Sequence, residues 1–139
     1  KPGVSDELVC TIDLAASFAA YNKVDLPKEA CLDSFNVMDA LLGKAGAKGR
    51  DHLVQQDNGR GGNYGFRMGD WKIQRHDSRK KRNAKLNLET RPAPRIALFN
   101  LSDDAGEKKN VASQHPDVSK KLAAQLDQFI KDGRSRPAN

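Results

Sequence analysis

NYGFRMGDWKIQRH, residues 63–76, decides how the rest of the chain is read. Tyr64, Phe66 and Met68 alternate with Gly65, Arg67 and Gly69, and after Gly69–Asp70, Trp71 and Ile73 alternate with Lys72 and Gln74. A period of two puts each set on one face of a strand. A two-residue Gly-Asp link between two such runs is a hairpin signal. One face of the hairpin is apolar and the other basic. The apolar face needs a cover, so Phe66, Met68, Trp71 and Ile73 head the candidate core.

Working outward, HLVQQD (52–57) reads as a neighbouring strand, joined through the glycine-rich NGRGGN (58–63). RIALFNL (95–101) is a further strand, apolar on both faces and so expected in the centre of a sheet. In HPDVSKKLAAQLDQFIKDG (115–133), Val118, Leu122, Leu126, Phe129 and Ile130 form one stripe at helical spacing. Pro116 suits the first turn and Gly133 the stop. Leu98, Leu122, Leu126 and Phe129 complete the expected core.

Upstream, residues 7–22 begin as a short apolar strand and turn helical, with Asp13 placed to cap a helix through Leu14, Phe18 and Tyr21. A second short helix is expected over DSFNVMDALLG (33–43), capped by Asp33 or Ser34 and ended by Gly43. Between the last strand and the last helix, Asp104 and Glu107 have capping-box spacing. Gly106 there would relieve backbone strain, and Asn110 would cap a further turn. The fold class is α+β: about four antiparallel strands packed against a C-terminal helix, preceded by short helices, with GRSRPAN (133–139) a frayed tail.

The chain of 139 residues is one domain or a large piece of one, with a net charge of +6. Most of that excess sits between Asp77 and Arg95, where seven Lys and Arg residues face only Asp77 and Glu89. This long polar segment ends in Pro92 and Pro94 and reads as a long loop, of a length that points to a functional role or to disorder. No apolar run reaches the ~18 residues of a membrane span. KPGVSDE is not a signal peptide. The sequence starts without Met, so an upstream part is expected. GKAGAKGR (43–50) lacks the Lys-Ser or Lys-Thr of a phosphate-binding loop. Cys10 and Cys31 make neither a disulfide scaffold nor a metal motif, and His52, His76 and His115 lack zinc spacing. SRKKRNAK (78–85) has charge for nucleic acid but no interleaved aromatic residue for base stacking.

Four stretches together resemble the C-terminal region of the formylglycine-dependent sulfatases, of arylsulfatase type. "LFNLSDDAGEKKNVA" (98–112) is similar to their Leu-Tyr-Asn/Asp-Leu strand, Asp-Pro-x-Glu turn and Asn-Leu/Val-Ala close. Asp104, Glu107 and Asn110 match; Phe99 stands in the Tyr place and Ala105 in the Pro place. "PGVSDELVCTIDLAASFA" (2–19) resembles their Ser-Asp-x-Leu-Val…Asp-Leu-x-Pro-Thr segment, with Ala16 in the Pro place. "DSFNVMDALLGK" (33–44) followed by "RDHLV" (50–54) resembles the linker into the C-terminal subdomain, and "FRMGDWKI" (66–73) its Arg-x-Gly-x-Trp-Lys-Leu hairpin. The four occur in family order over nearly the whole chain.

The resemblance implies residues 1–50 as the end of a catalytic domain and linker, 51–133 as the C-terminal subdomain and 134–139 as tail. The parent would be a sulfuric ester hydrolase acting on an aryl sulfate or a sulfated glycan, in a periplasmic, secreted or lysosomal setting. Its formylglycine nucleophile and its calcium are expected in a catalytic domain outside this sequence, the chain's main partner. Cys10 continues as CTIDL and Cys31 as CLDSF, so neither fits the Cys/Ser-x-Pro-x-Arg motif. The chain alone is expected to be inactive, with no catalytic and no metal-ligating residue. Its expected part is a substrate rim of Arg75, His76, Arg79, Lys80, Lys81 and Arg82. No membrane partner is expected. The alternative is a non-enzymatic basic module binding nucleic acid through residues 77–95, a partner the absent aromatics argue against.

Overall fold

The structure, a computed structural model, describes residues 3–57, 63–76 and 94–137, with the backbone alone at 82–83 and 88–89. Helices α1 (Leu14–Tyr21) and α2 (Met38–Leu41) come first. Strands β1 (His52–Gln56), β2 (Tyr64–Met68), β3 (Trp71–Arg75), β4 (Arg82–Asn83), β5 (Leu88–Glu89) and β6 (Ile96–Asn100) follow, and helix α3 (Pro116–Asp132) closes the order. Four strands form an antiparallel sheet in the order β1-β2-β3-β6, and β4 and β5 pair separately. This is the expected α+β class. The chain divides into two compact units, Lys1–Leu53 with Gln128–Asn139, and Val54–Asp127.

In Val54–Asp127 the hairpin register is the one its alternation dictates. Phe66 pairs with Ile73 and Met68 with Trp71, across a turn that gives Gly69 a φ of +57°. A positive φ at the first of two loop residues suits the twist of a hairpin and favours glycine. Ile73 also faces Leu98 on β6, so Phe66, Ile73 and Leu98 form one fully buried row across three strands. Leu122 and Leu126 of α3, one turn apart, are buried as well. The ion pair of Arg75 with Asp127, and the Trp71 ring 5.0 Å from that of His115, show that the C-terminal helix lies along this face. Each large apolar side chain so buried contributes ~1.5–3 kcal/mol relative to exposure. Met68, Trp71 and Phe129, expected in this core, are only half-buried; Trp71 stands at the hairpin's end, opposite Asn100.

β6 is an edge strand of the ladder, not a central one. Its apolar character has another cause: Ala97, Leu98 and Phe99 are all buried, so both faces are covered. The junction that follows also closes its open side. The Asn110 side-chain oxygen accepts from the Leu98 and Ala112 N–H groups, each at 3.0 Å, and the Val111 N–H donates to the Leu98 carbonyl at 2.8 Å. Asn110 thus caps the expected turn and masks a ladder edge that would otherwise be unpaired. Asp104 caps too, accepting from the Lys108 and Lys109 N–H groups at 2.7 Å. Glu107 does not reach back to it. Its carboxylate accepts from Lys72 (2.6 Å) and Gln74, on the sheet face opposite Phe66. The positive φ falls on Glu107 itself, at +52°, and not on Gly106.

The other unit is held differently. A 3-10 turn at Thr11–Asp13 leads into α1, where Asp13 stands at the N-cap position in helical geometry and makes no side-chain capping bond to the helix. Its buried carboxylate accepts from the Cys10 N–H (2.9 Å), the Phe35 N–H (3.0 Å) and Arg50 Nη1 (3.1 Å). Arg50 donates further to the carbonyls of His52 and Asp33 and lies 4.7 Å over the Phe35 ring. Ser17 Oγ accepts from the Val37 N–H at 3.0 Å, and Ser34 Oγ from the Ala16 N–H at 2.9 Å. These bonds draw residues 34–37 out of helical geometry. The second helix therefore starts only at Met38, and neither Asp33 nor Ser34 caps it.

No strand forms at residues 7–10. There the Leu8 carbonyl accepts from the Arg50 N–H at 2.8 Å, and Glu7 takes the Gly49 N–H at 2.7 Å. A Cβ on residue 49 would sit 2.3 Å from the Leu8 oxygen, so the approach requires glycine. The tail is held rather than frayed at 135–136. Ser135 gives both its N–H and its hydroxyl to Asp33 Oδ1 at 2.7 Å, and Arg136 bonds to the carbonyls of Leu32 and Ala30.

Candidate functional site

The candidate rim begins where β3 ends. Arg75 is the last residue of that strand, and alternation puts it on the helix-covered face. Its Nη1 bonds the Asp127 carboxylate and its guanidinium lies 5.2 Å from the centre of the Tyr64 ring. An arginine held between a carboxylate and an aromatic face is fixed in direction and partly neutralised. Arg75 is therefore a positioned, partly neutralised side chain more than a free cation.

His76 follows it, half-buried, and its N–H donates to the Arg95 carbonyl at 2.9 Å. This bond joins the two described residues that flank the basic segment, a neck at its ends. Within the segment, Arg82 pairs with Glu89 and Asn83 with Leu88, a short antiparallel ribbon. The structure thus brings Arg75 and His76 together at the neck and sets the backbone of Arg82 on the ribbon. Arg79, Lys80 and Lys81 lie outside the described residues.

Among the described residues no group of three or more His, Cys, Asp or Glu could hold a metal ion. The donors needed for calcium, several carboxylate and carbonyl oxygens on one centre, are not assembled there; the carboxylates of Asp13, Glu107 and Asp127 are each engaged by Arg or Lys. Cys10 and Cys31 are free thiols.

Two buried or half-buried polar sets escaped sequence reasoning: Asp13 with Arg50, and Glu107 with Lys72 and Gln74. Their partners lie 37, 35 and 33 residues apart, beyond any local spacing rule.

No family model matches the chain. The chain is similar to the N-acetylgalactosamine-6-O-sulfatase of Bacteroides thetaiotaomicron, with 36% identity over 127 residues, which is 91% of this chain and 24% of that protein. A solved Bacteroides thetaiotaomicron protein, 6S-sulf, described with the metabolism of multiple glycosaminoglycans, superposes with a TM-score of 0.72 at 33% identity. The match covers 84% of this chain and 24% of that one. Ps i-CgsB, solved in complex with k-i-k-neocarrahexaose, shares the fold with a TM-score of 0.60 at 19% identity, over 88% of this chain and 24% of its own. The chain spans about a quarter of the length of the relatives it matches.

Proposed function

This chain carries the C-terminal region of a sulfatase, and from that premise we propose that the protein it forms part of hydrolyses sulfate esters on a sulfated glycan. The observation that carries the reading is 36% identity to a sulfatase along 91% of the chain, with the sheet and C-terminal helix of a sulfatase C-terminal region. The name of that relative points to a 6-O-sulfate on an amino sugar as the group removed. Residues 1–50 belong to the end of the catalytic domain and its linker, and 51–133 form the subdomain beside it. The nucleophile and the calcium belong to the catalytic domain. This chain's own part is the rim: His76 and Arg95 fix the neck, Arg75 stands beside it, and Arg79, Lys80, Lys81 and Arg82 attract the polyanion.

Two measurements test the proposal. The isolated chain, incubated with a chromogenic aryl sulfate and calcium, turns over nothing above blank; activity that co-purifies with it ends the reading. In the full-length enzyme, replacing Arg79, Lys80, Lys81 and Arg82 together by Gln raises KM for a sulfated oligosaccharide and leaves a small aryl sulfate unaffected. Nonspecific binding of DNA at ~10⁻⁴ to 10⁻⁶ M is compatible with a basic rim. Submicromolar, sequence-selective binding at physiological salt would favour a nucleic-acid module instead.

A further inference from the structure

Two arginines of the chain are held in opposite ways. Arg50 is buried and uses all three of its nitrogens, with Nε on the His52 carbonyl, Nη1 on Asp13 and Nη2 on the Asp33 carbonyl. Arg75 is half-buried and makes one hydrogen bond among the described residues, from Nη1 to the Asp127 carboxylate. A guanidinium presents its N–H donors as a planar fork, and most of this fork has no acceptor among the described residues. Tyr64, opposite Arg75 in the hairpin register, has its ring centre 5.2 Å from the guanidinium carbon. The ring face attracts the guanidinium and fixes its direction without using a donor.

The two carboxylates differ in the same sense. Asp13 is fully buried and accepts from the Cys10 and Phe35 N–H groups as well as from Arg50. The Asp127 side chain is 65% exposed, against 24% for Arg75, and Arg75 is its one partner among the described residues. An ion pair so open to water adds little net stability, so another anion can take the carboxylate's place at small cost. A sulfate ester is such an anion. Its terminal oxygens can accept two parallel N–H bonds from the fork, as those of carboxylates and phosphates do.

We infer that Arg75 is a sulfate-binding subsite that Asp127 occupies as a resident competitor, with Tyr64 keeping the guanidinium aimed in both states. The inference deepens the sulfatase reading above and rests on it for the choice of sulfate among oxyanions. No covalent step is involved: the sulfate exchanges for the carboxylate, and Asp127 turns to water. Removing Asp127 then strengthens sulfate binding. A pair that serves only to pin α3 to the sheet behaves otherwise, losing stability with no gain in affinity.

The test titrates the 139-residue chain with methyl sulfate, the simplest sulfate monoester, at an ionic strength held constant with sodium chloride. NMR follows the Arg75 Nε–H and the Asp127 carboxyl carbon. Both signals should move together and saturate as the sulfate enters and the carboxylate is released. Asp127→Asn should bind methyl sulfate several-fold more tightly than the parent. Asp117→Asn, which removes an exposed carboxylate at the start of the same helix, should leave the affinity unchanged. Arg75→Gln should abolish binding, and Arg75→Lys, which keeps the charge and loses the fork, should weaken it several-fold. Equal or weaker binding by a folded Asp127→Asn variant overturns the inference, as does binding that survives Arg75→Gln. If Asp127→Asn does not fold, the parent titration decides: an Asp127 signal that stays fixed while Arg75 shifts overturns the exchange. A full-length enzyme that hydrolyses a sulfated oligosaccharide, with no gain of binding in Asp127→Asn, overturns the subsite and leaves the sulfatase reading standing. Tighter binding in Asp127→Asn with no hydrolysis of any sulfate ester by the full-length protein supports the subsite and counts against that reading.

Discussion

Among the described residues, the largest fully buried ones in Val54–Asp127 are Phe66, Ile73, Leu98 and Leu126; in Lys1–Leu53 with Gln128–Asn139 they are Asp13 and Ser17, joined by the buried side chain of Arg50. One unit is organised by a row of apolar side chains across three strands under a helix. The other is organised by a carboxylate and two hydroxyls that accept from the backbone N–H groups of Cys10, Phe35, Ala16 and Val37, and by a guanidinium that donates to the carbonyls of Asp33 and His52. The difference teaches what each unit needs. An apolar row gains stability from burial alone and tolerates small changes of shape. A buried polar network adds little net stability and is intolerant of any lost member, but it specifies one arrangement.

The sharpest way to break the contrast is to delete one central member of each unit. Phe66→Ala should cost ~3–5 kcal/mol through cavity formation. Asp13→Ala should cost ~3–5 kcal/mol because Arg50 is left as an unpaired buried charge. Denaturation followed by Trp71 fluorescence reports Val54–Asp127, and amide exchange at Cys10 and Phe35 reports the other unit. Asp13→Asn, which keeps the shape and loses the charge, should recover only part of the loss, whereas Phe66→Leu should recover most of its own. An Asp13→Ala variant as stable as the parent would mean that the polar network does not hold its unit.

A smaller effect sharpens the comparison within the sheet. Glu107 sits at a φ of +52° and holds Lys72 and Gln74. Both Glu107→Ala and Glu107→Gly lose these bonds, but only glycine relaxes the backbone. Glu107→Gly should therefore be the more stable of the two by about 1 kcal/mol. Equal Tm values would show that the left-handed conformation is not retained.

The smallest effect depends on pH. The Gly49 N–H, and then Lys48, hold the Glu7 carboxyl below the usual carboxylate range. A lowered folded-state pKa gives stability that is present above the ordinary carboxylate range and is lost as pH falls through the lowered value. The Gly49 amide shift should follow that titration in acid, and Glu7→Gln should abolish it. A flat Gly49 shift in the parent would remove the clamp from the account.

The elements that sequence made legible were those with short-range causes. The hairpin at 64–75 rests on a period of two and a Gly-Asp link, and α3 on a period of 3.6 with Pro116 and Gly133 at its ends. Asp13, Ser34 and Glu107 were misassigned for one shared reason. Each belongs to a residue type that bonds a nearby N–H when nothing better is present, and in each case a donor from distant chain was present. For β6, apolar residues on both faces suggested a central strand, but periodicity records what covers the faces and not what covers the edges. At the candidate rim, sequence located the charge. It did not foresee that Arg75 is occupied by Asp127 and Tyr64, since residue 127 lies on another element altogether.

The clasp between Ser135 and Asp33 has a consequence in time. Its partners stand 102 residues apart. At a synthesis rate of ~5–20 residues per second, Asp33 leaves the ribosome about 5–20 s before the serine that will occupy its carboxylate. Through that interval the hairpin and β6 can form from contacts nearer in sequence, while the loop at 30–33 waits with its carbonyls and carboxylate in water. The earliest-made part of this chain is thus among the last to be finished.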